Sequence, residues 1–429
     1  MIVLNKLKRL CGTLAKRNHP GFIFTLRYFQ YKPAPIIAMH RRLFFLSLKT
    51  PRDFILNIIG GLRWISYHVW KKNYKCYRFK ALRSFLASHP NRIKVILDIL
   101  QLSVCNFIPP RCYVKCQLYK KSKNEHAFYY FYSFQSSYFH DYTNRHMPRY
   151  QQSRALIADK YQFETALQKI GISTIKSELF STTRSQNHYH ALLQKRRFFC
   201  KPNNASASKD AFLLDYDPKL DCYFIDILNE GLLTSPSQIH AYLRQVCRRH
   251  RFLLIQPLVE NIPELQQWSS RDVLTTIRII TGKNSVSSEE IPTLLYVQME
   301  HPLQIKEAIE HNFNEPFAAI PLNIITLDVD PVFKQRKHDS YYENIRLSEQ
   351  LKRLIQQGIV YCQQAHKQLL NLRSVAFEIT LALSDPMILE ANYNWDIEML
   401  YNVIDANSLD RDNTHPAALW LKTLIEEIA

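Results

Sequence analysis

Residues 377–396 read FEITLALSDPMILEANYNWD. Two runs rich in apolar and β-branched residues flank Ser384–Asp385–Pro386, a pattern that predicts two strands joined by a tight turn. Side chains two apart in a strand face the same side, so Glu390 and Asn392 point together. A hairpin about the turn brings Glu378 opposite that pair. Three oxygen-bearing side chains then share one face among Ile, Leu and Phe. Burying carboxylates there is costly without a cation or a donor. Magnesium is a hard cation held by one or two carboxylates plus substrate phosphates, and this set suits it. The spacing also fits an exposed sheet face with scattered acids, and by itself leaves both readings open.

Upstream, alternating patterns continue. YFIDIL, FLLIQPLV, VLTTIRIIT and PTLLYVQM read as strands, and LSEQLKRLIQQGIVYCQQAHKQLLNL (347–372) as a long amphipathic helix. SRALIADKYQFETALQKIGISTIKSELF predicts a short helix, a longer one ending at Gly171, and an extended segment. The aromatic stretch EHAFYYFYSFQSSYFHDY (125–142) leans toward a strand or a packed connector. KRRFFCKP (195–202) is a strand stopped by Pro202, and Lys201 opens a small-residue loop suited to phosphate approach by backbone N–H groups. Lys160 stands at a helix start. Arg278 lies within a β-branched strand, where a charge needs a partner and a guanidinium can hold phosphate oxygens bidentately. Helices alternating with mostly antiparallel strands indicate α+β lobes.

Length and charge frame this core. At 429 residues the chain exceeds one ordinary hydrophobic core, and 12% aromatics with only 8 glycines argue against a disordered or linker-rich protein. Residues 1–150 hold 27 Lys/Arg against 4 Asp/Glu, whereas the rest hold 29 against 33. So basic a first third favours anionic partners. FILNIIGGLRWISYHVW (54–70), interrupted by Asn57 and Arg63, is short and polar for a membrane span. It reads either as a helix packed on its own domain or as one lying on an anionic membrane surface, its flanks basic and Trp64, Tyr67 and Trp70 at the interface. Lys/Arg interleaved with Tyr and Phe also suits nucleic acid, but no RNA- or DNA-binding module is present, so nucleic acid is a disfavoured partner. The nine cysteines are scattered without the spacing of a disulfide framework or zinc site. With no secretory signal in MIVLNKLKRLCGTLAKRN, a cytoplasmic location is expected, on the cytoplasmic membrane face if the basic region docks there.

Taken in order, ADKYQFETALQKIGIST, FFCKP, LLIQPLVENIPEL, LTTIRIIT and FEITLALSDPMILEANYNWD resemble the ATP-grasp superfamily, most closely its sugar-transfer-associated and glutamate-ligase-related branch. The resemblance covers roughly 150–405. It implies an ATP-grasp fold of two α+β lobes clasping a nucleotide, divided as 151–260 and 261–429, behind a basic, mainly helical region 1–150. By the same resemblance Lys160 and Lys201 contact the nucleotide, the backbone of Gln256, Pro257, Leu258 and Val259 reads adenine, and Glu260 or Glu264 meets the ribose. Arg278 neutralises transferred phosphate, and Glu378, Glu390 and Asn392 hold Mg²⁺. ATP and Mg²⁺ are thus the implied cofactors. The implied activity is carboxylate activation as an acyl-phosphate for attack by an amine, in cell-surface polysaccharide or peptide modification. A catalytically weak ATP-binding protein docked at a membrane or polysaccharide-synthesis complex is the alternative. The family's glycines are absent from the loop NNASASKD (203–210).

Overall fold

A computed structural model describes residues 20–31, 35–68, 70–71, 85–116, 118–119, 127–181, 197–204, 210–219, 222–227, 231–233, 235–266, 274–285, 290–302, 317–333, 345–381, 385–404 and 415–428. Most of the phosphate-loop candidate (205–209), Ser384 of the expected turn and residues 1–19 of the basic first third fall outside them.

Two antiparallel sheets organise the chain. The first, in order β1-β6-β2-β3-β4-β5, comprises β1 (Glu178–Ser181), β2 (Phe198–Pro202), β3 (Phe212–Asp217), β4 (Cys222–Ile227), β5 (Gly231–Leu233) and β6 (Phe252–Pro257). The second, in order β11-β10-β7-β8-β9, comprises β7 (Thr276–Gly282), β8 (Thr293–Pro302), β9 (Phe317–Leu322), β10 (Ser374–Thr380) and β11 (Met387–Asn392). β3, β5 and β9 were not evident in the sequence pattern. β5 and β9 are edge strands, and β3 is an inner strand whose run FLLDYD mixes apolar and acidic residues.

Each sheet has a helix on one face, and the short α9 (Pro263–Gln266) follows the first sheet. α8 (Pro236–His250) sets Ile239, Leu243 and Val246 against Phe198, Cys200 and Leu214 of the first sheet. α10 (Glu349–Leu369) buries Leu351, Ile355, Ile359 and Cys362 against Ile277, Ile279, Phe377 and Ile379 of the second. Gly358 makes this approach feasible, because a Cβ there would lie 2.3 Å from the Ile379 side chain. Preceding the first sheet are α6 (Tyr150–Ala158) and α7 (Lys160–Lys169), as the pattern predicts, and Gly171 takes φ +78 just past the helix end.

In the first third lie α1 (Pro35–Leu46), α2 (Pro51–Arg63), α3 (Arg92–Cys105), α4 (Arg111–Lys115) and α5 (Ser133–Asn144). Of the aromatic stretch 125–142, expected as a strand or connector, the described residues 127–142 form a short 3₁₀ turn and most of α5. Burial decides this: Phe139, His140 and Asn144 share the inward face of α5, and packing outweighs the β preference of Tyr and Phe. This region shares its core with the open face of the second sheet, since Ile280, Tyr296 and Ala376 pack with Phe131, Phe139 and Trp420 of α11 (Pro416–Ile428).

Candidate active site

Strand register builds the site. β10 and β11 run antiparallel with Glu378 opposite Glu390, and a register shift follows Glu378. Glu378 also lies opposite Arg278 of β7, which lies opposite Gln298 of β8. One row across the second sheet therefore reads Glu390, Glu378, Arg278, Gln298. Two residues along on the same face, Ile280 and Tyr296 are buried in the core shared with the first third, so that region borders the row.

The charges in the row are paired. Arg278 donates from Nε to Glu300 Oε1 at 2.7 Å and from Nη2 to Glu378 Oε1 at 2.5 Å. Gln298 Nε2 donates to Glu300 Oε1 at 3.1 Å, and Gln298 Oε1 accepts from the Tyr296 hydroxyl at 2.5 Å. Lys160, at the first position of α7, reaches Glu390 Oε2 at 3.1 Å, and Asn392 Nδ2 lies 3.4 Å from Glu390 Oε1. Side-chain exposures across Lys160, Arg278, Glu300, Glu378 and Glu390 run only from 17% to 22%, so solvent screens these pairs weakly.

Lys201 joins this cluster from the other sheet. Phe198, Cys200 and Pro202 alternate inward, which turns Lys201 to the opposite face. Asn203, almost fully buried, holds the two lysine-bearing segments together: its Oδ1 accepts from Tyr161 N at 2.9 Å and its Nδ2 donates to Asp159 Oδ1 at 2.9 Å. Asp159 caps α7, accepting from Gln162 N. Among the described residues Lys201 makes no ion pair. Burial lowers its proton affinity and Lys160 lowers it further, against the pull of Glu390 and Glu378.

Neighbouring carboxylates respond in opposite senses. Burial pushes the Glu378 carboxyl up, and Glu390 and Glu300 add to this against the Arg278 charge. Burial also acts upward on Glu390, but Lys160 and Lys201 outweigh it and hold that carboxyl below its ordinary range. For Arg278, burial opposes the charge while Glu378 and Glu300 more than compensate and raise its proton affinity. Glu378 therefore takes a proton more readily than Glu390.

Other candidates divide. Gln256 is buried and its side chain donates to Ser177 Oγ at 2.6 Å, part of a chain that ends on the Glu164 carboxylate. Gln256 and Pro257 pair with Phe199 and Phe198, and Leu258 N donates to Arg197 O at 2.9 Å, so this backbone is partly engaged with β2. Val259 and the exposed Glu260 follow. Glu264 accepts from the backbone and hydroxyl of Ser348, the N-cap of α10, which ties it to the helix start.

Glu300, Gln298 and Asn203 were not singled out by motif reading. A signal for the first two exists: Tyr296, Gln298 and Glu300 alternate in an otherwise apolar strand, which places all three on one face. Asn203 had none, because its role depends on a helix start 42 residues away. Glu378, Glu390 and Asn392 together offer hard oxygen donors. Among the described residues no group of three or more His, Cys, Asp or Glu could hold a metal ion. An ion here would take many of its ligands from a bound phosphate.

No protein-family model and no curated protein matches the chain. Among solved structures it is similar to the D-alanine–D-alanine ligase from Coxiella burnetii at 15% identity and a TM-score of 0.37, covering 65% of this chain. That match spans 58% of the length of the Coxiella protein. The D-alanyl-alanine synthetase A from Vibrio cholerae O1 biovar eltor is similar at 11% identity and a TM-score of 0.40, with 64% of this chain and 66% of that one covered. The ATP-grasp ligase PsnB complexed with minimal precursor is similar at 12% identity and a TM-score of 0.34, covering 63% and 62% of the two chains.

Proposed function

We propose that this protein is an ATP- and Mg²⁺-dependent ligase of the ATP-grasp type that activates a carboxylate as an acyl-phosphate for attack by an amine. The observation that carries the reading is the meeting of Lys160 and Lys201 with the row Glu390, Glu378 and Arg278. Two half-buried lysines and an arginine supply positive charge for a polyphosphate, and the adjacent acids supply oxygen donors for its cation. Such a layout acts through positioning and charge neutralisation, with no protein nucleophile needed.

In this reading Lys160 and Lys201 bind the phosphates, and Arg278 receives charge developing on the transferred group. Glu378, Glu390 and Asn392 would hold Mg²⁺, which would supply positive charge to neutralise the phosphates. The ion pairs Lys160–Glu390 and Arg278–Glu378 keep the charges compensated until nucleotide and cation enter together. The strand backbone from Gln256 to Val259 takes the adenine edge. Glu260, exposed where Glu264 is tied to Ser348, takes the ribose hydroxyls. The acceptor belongs to cell-surface polysaccharide or peptide modification, with its pocket bordered by the first third beside Tyr296 and Gln298.

The test is Mg²⁺-dependent ADP release in Glu390→Gln/Asn392→Ala. Release is expected to disappear while the circular dichroism spectrum stays that of the parent. Full release in the double variant removes the metal assignment, and absence of ATP binding to the parent protein removes the reading altogether.

A further inference from the structure

The strongest feature that the site does not use is on α2. Thirteen of the seventeen large apolar side chains exposed among the described residues fall between Leu26 and Leu97. Four of them, Phe54 (46%), Ile55 (45%), Ile58 (46%) and Leu62 (63%), lie on α2 itself. Phe54, Ile58 and Leu62 are four apart, and Ile55 lies seven before Leu62, so all four fall within about 100° of helix arc.

The opposite face of α2 is fixed to the protein. Leu56, Asn57, Gly60 and Gly61 are buried. Asn57 accepts from Gly21 N at 2.8 Å and donates to Ser47 O at 2.5 Å. Just past the helix, Trp64 Nε1 donates to Ser103 O at 2.6 Å. These buried bonds set the helix rotation, so the outer stripe cannot roll inward without orphaning them. A contiguous exposed apolar stripe on a helix held this firmly marks an interaction surface.

Charge identifies what it meets. Arg52 and Arg63 flank the stripe, and the one acid of the helix, Asp53, is turned to its own cap, accepting from Thr50 Oγ1 at 2.8 Å. Exposed apolar and aromatic residues continue beyond the helix as Ile65, Tyr67 and Trp70, followed by Lys71, whose Nζ lies 3.0 Å from the Tyr67 hydroxyl. Trp, Tyr and Lys at the edge of an apolar helix face suit the boundary between headgroups and acyl chains. No described helix is long and apolar enough to cross a membrane. We infer that the outer face of α2 docks this protein on an anionic lipid bilayer, with Phe54, Ile58 and Leu62 entering the acyl boundary and Arg52 and Lys71 meeting anionic headgroups.

Flotation of the full-length protein with phosphatidylcholine vesicles, with and without phosphatidylserine, tests this. Binding is expected only with phosphatidylserine, and high salt should weaken it as the screening length shrinks from about 8 Å to about 3 Å. Ile58→Asp/Leu62→Asp should reduce the bound fraction at least about tenfold, and Arg52→Glu/Lys71→Glu by a similar factor. An independent measurement is quenching of Trp70 by brominated lipids, read as the difference between parent and Trp70→Phe. Absence of binding to phosphatidylserine vesicles overturns the inference. So does binding that Ile58→Asp/Leu62→Asp leaves unchanged, a lipid-independent dimer that these substitutions dissolve, or an unquenched Trp70. ADP release measured without vesicles should be the same in parent and variant, so failure here is separable from failure of the ligase reading.

Discussion

The polar row of the second sheet and the outer face of α2 both reverse the usual partition of side chains. The sheet carries carboxylates and cations in a largely buried place, whereas α2 carries large apolar groups in water. They differ in how the misplacement is compensated. Glu300, Glu378 and Glu390 each meet a cation within 3.1 Å, at Arg278 or Lys160. The α2 stripe is left uncovered while the same helix is locked on its inner side. An unpaired buried charge costs several kcal/mol, so a folded chain must answer it internally. Exposed apolar area costs only about 25 cal/mol per Å², which a protein can leave for a partner to cover. The sheet row is thus complete in the chain itself, and the helix face waits on something outside it.

The largest effect that would break this contrast is at Arg278. Arg278→Met leaves Glu300 and Glu378 facing each other uncompensated, and a loss of about 3–5 kcal/mol in urea unfolding is expected. Adding Glu300→Gln should restore part of it. If Arg278→Met is as stable as the parent, the row is not held by pairing. Next comes Asn203→Ala, which removes both bonds between the Lys201 segment and the start of α7. A loss of about 1–3 kcal/mol and a raised KM for ATP are expected together. A stability change with KM unmoved would make Asn203 purely structural. Lys201→Met should weaken ATP binding at least about tenfold, or about 1.4 kcal/mol, by calorimetric titration with little change in thermal stability.

pH sharpens the contrast within the row. The folded-state value of Glu390 is lowered, so its stabilising contribution is present above the ordinary value of 4.5 and lost as pH falls through the lowered one. For Glu378 the folded-state value is raised, so its contribution is present below 4.5 and lost as pH rises through the raised one. Glu390→Gln should therefore flatten the acid side of the stability profile and Glu378→Gln the side above it. Identical profiles for the two variants would contradict the opposite shifts. The smallest effect is at α2: Ile58→Asp/Leu62→Asp should change unfolding stability by less than about 0.5 kcal/mol, since neither side chain packs inward.

Much of the site could be read from residues. Strand alternation put Glu390 and Asn392 on one side, and the turn at Ser384–Asp385–Pro386 predicted the pairing that sets Glu378 opposite Glu390. That inference works because the period of a strand is fixed by backbone geometry. Lys160 and Lys201 were found by motif, one at a helix start and one at a strand end. What alternation cannot supply is the partner on a non-adjacent segment. Glu300 faces Arg278 because β8 lies beside β7 in one register, and Glu264 faces Ser348, 84 residues further along the chain. The stretch 125–142 misled for the same reason, since its helix is stabilised by burial against distant elements, outweighing local preference.

By itself, the sequence determined the alternation of the strands, a long helix within 347–372, the concentration of positive charge in the first third and the identities of the candidate ligands. Those follow from local periodicity and composition, which need no neighbours. Only the tertiary structure decided which charges answer one another, that the two lysines are clipped together through Asn203, and that α2 turns one apolar face in and another out. Each of these depends on distances between segments far apart in the chain, and burial sets what such a contact is worth.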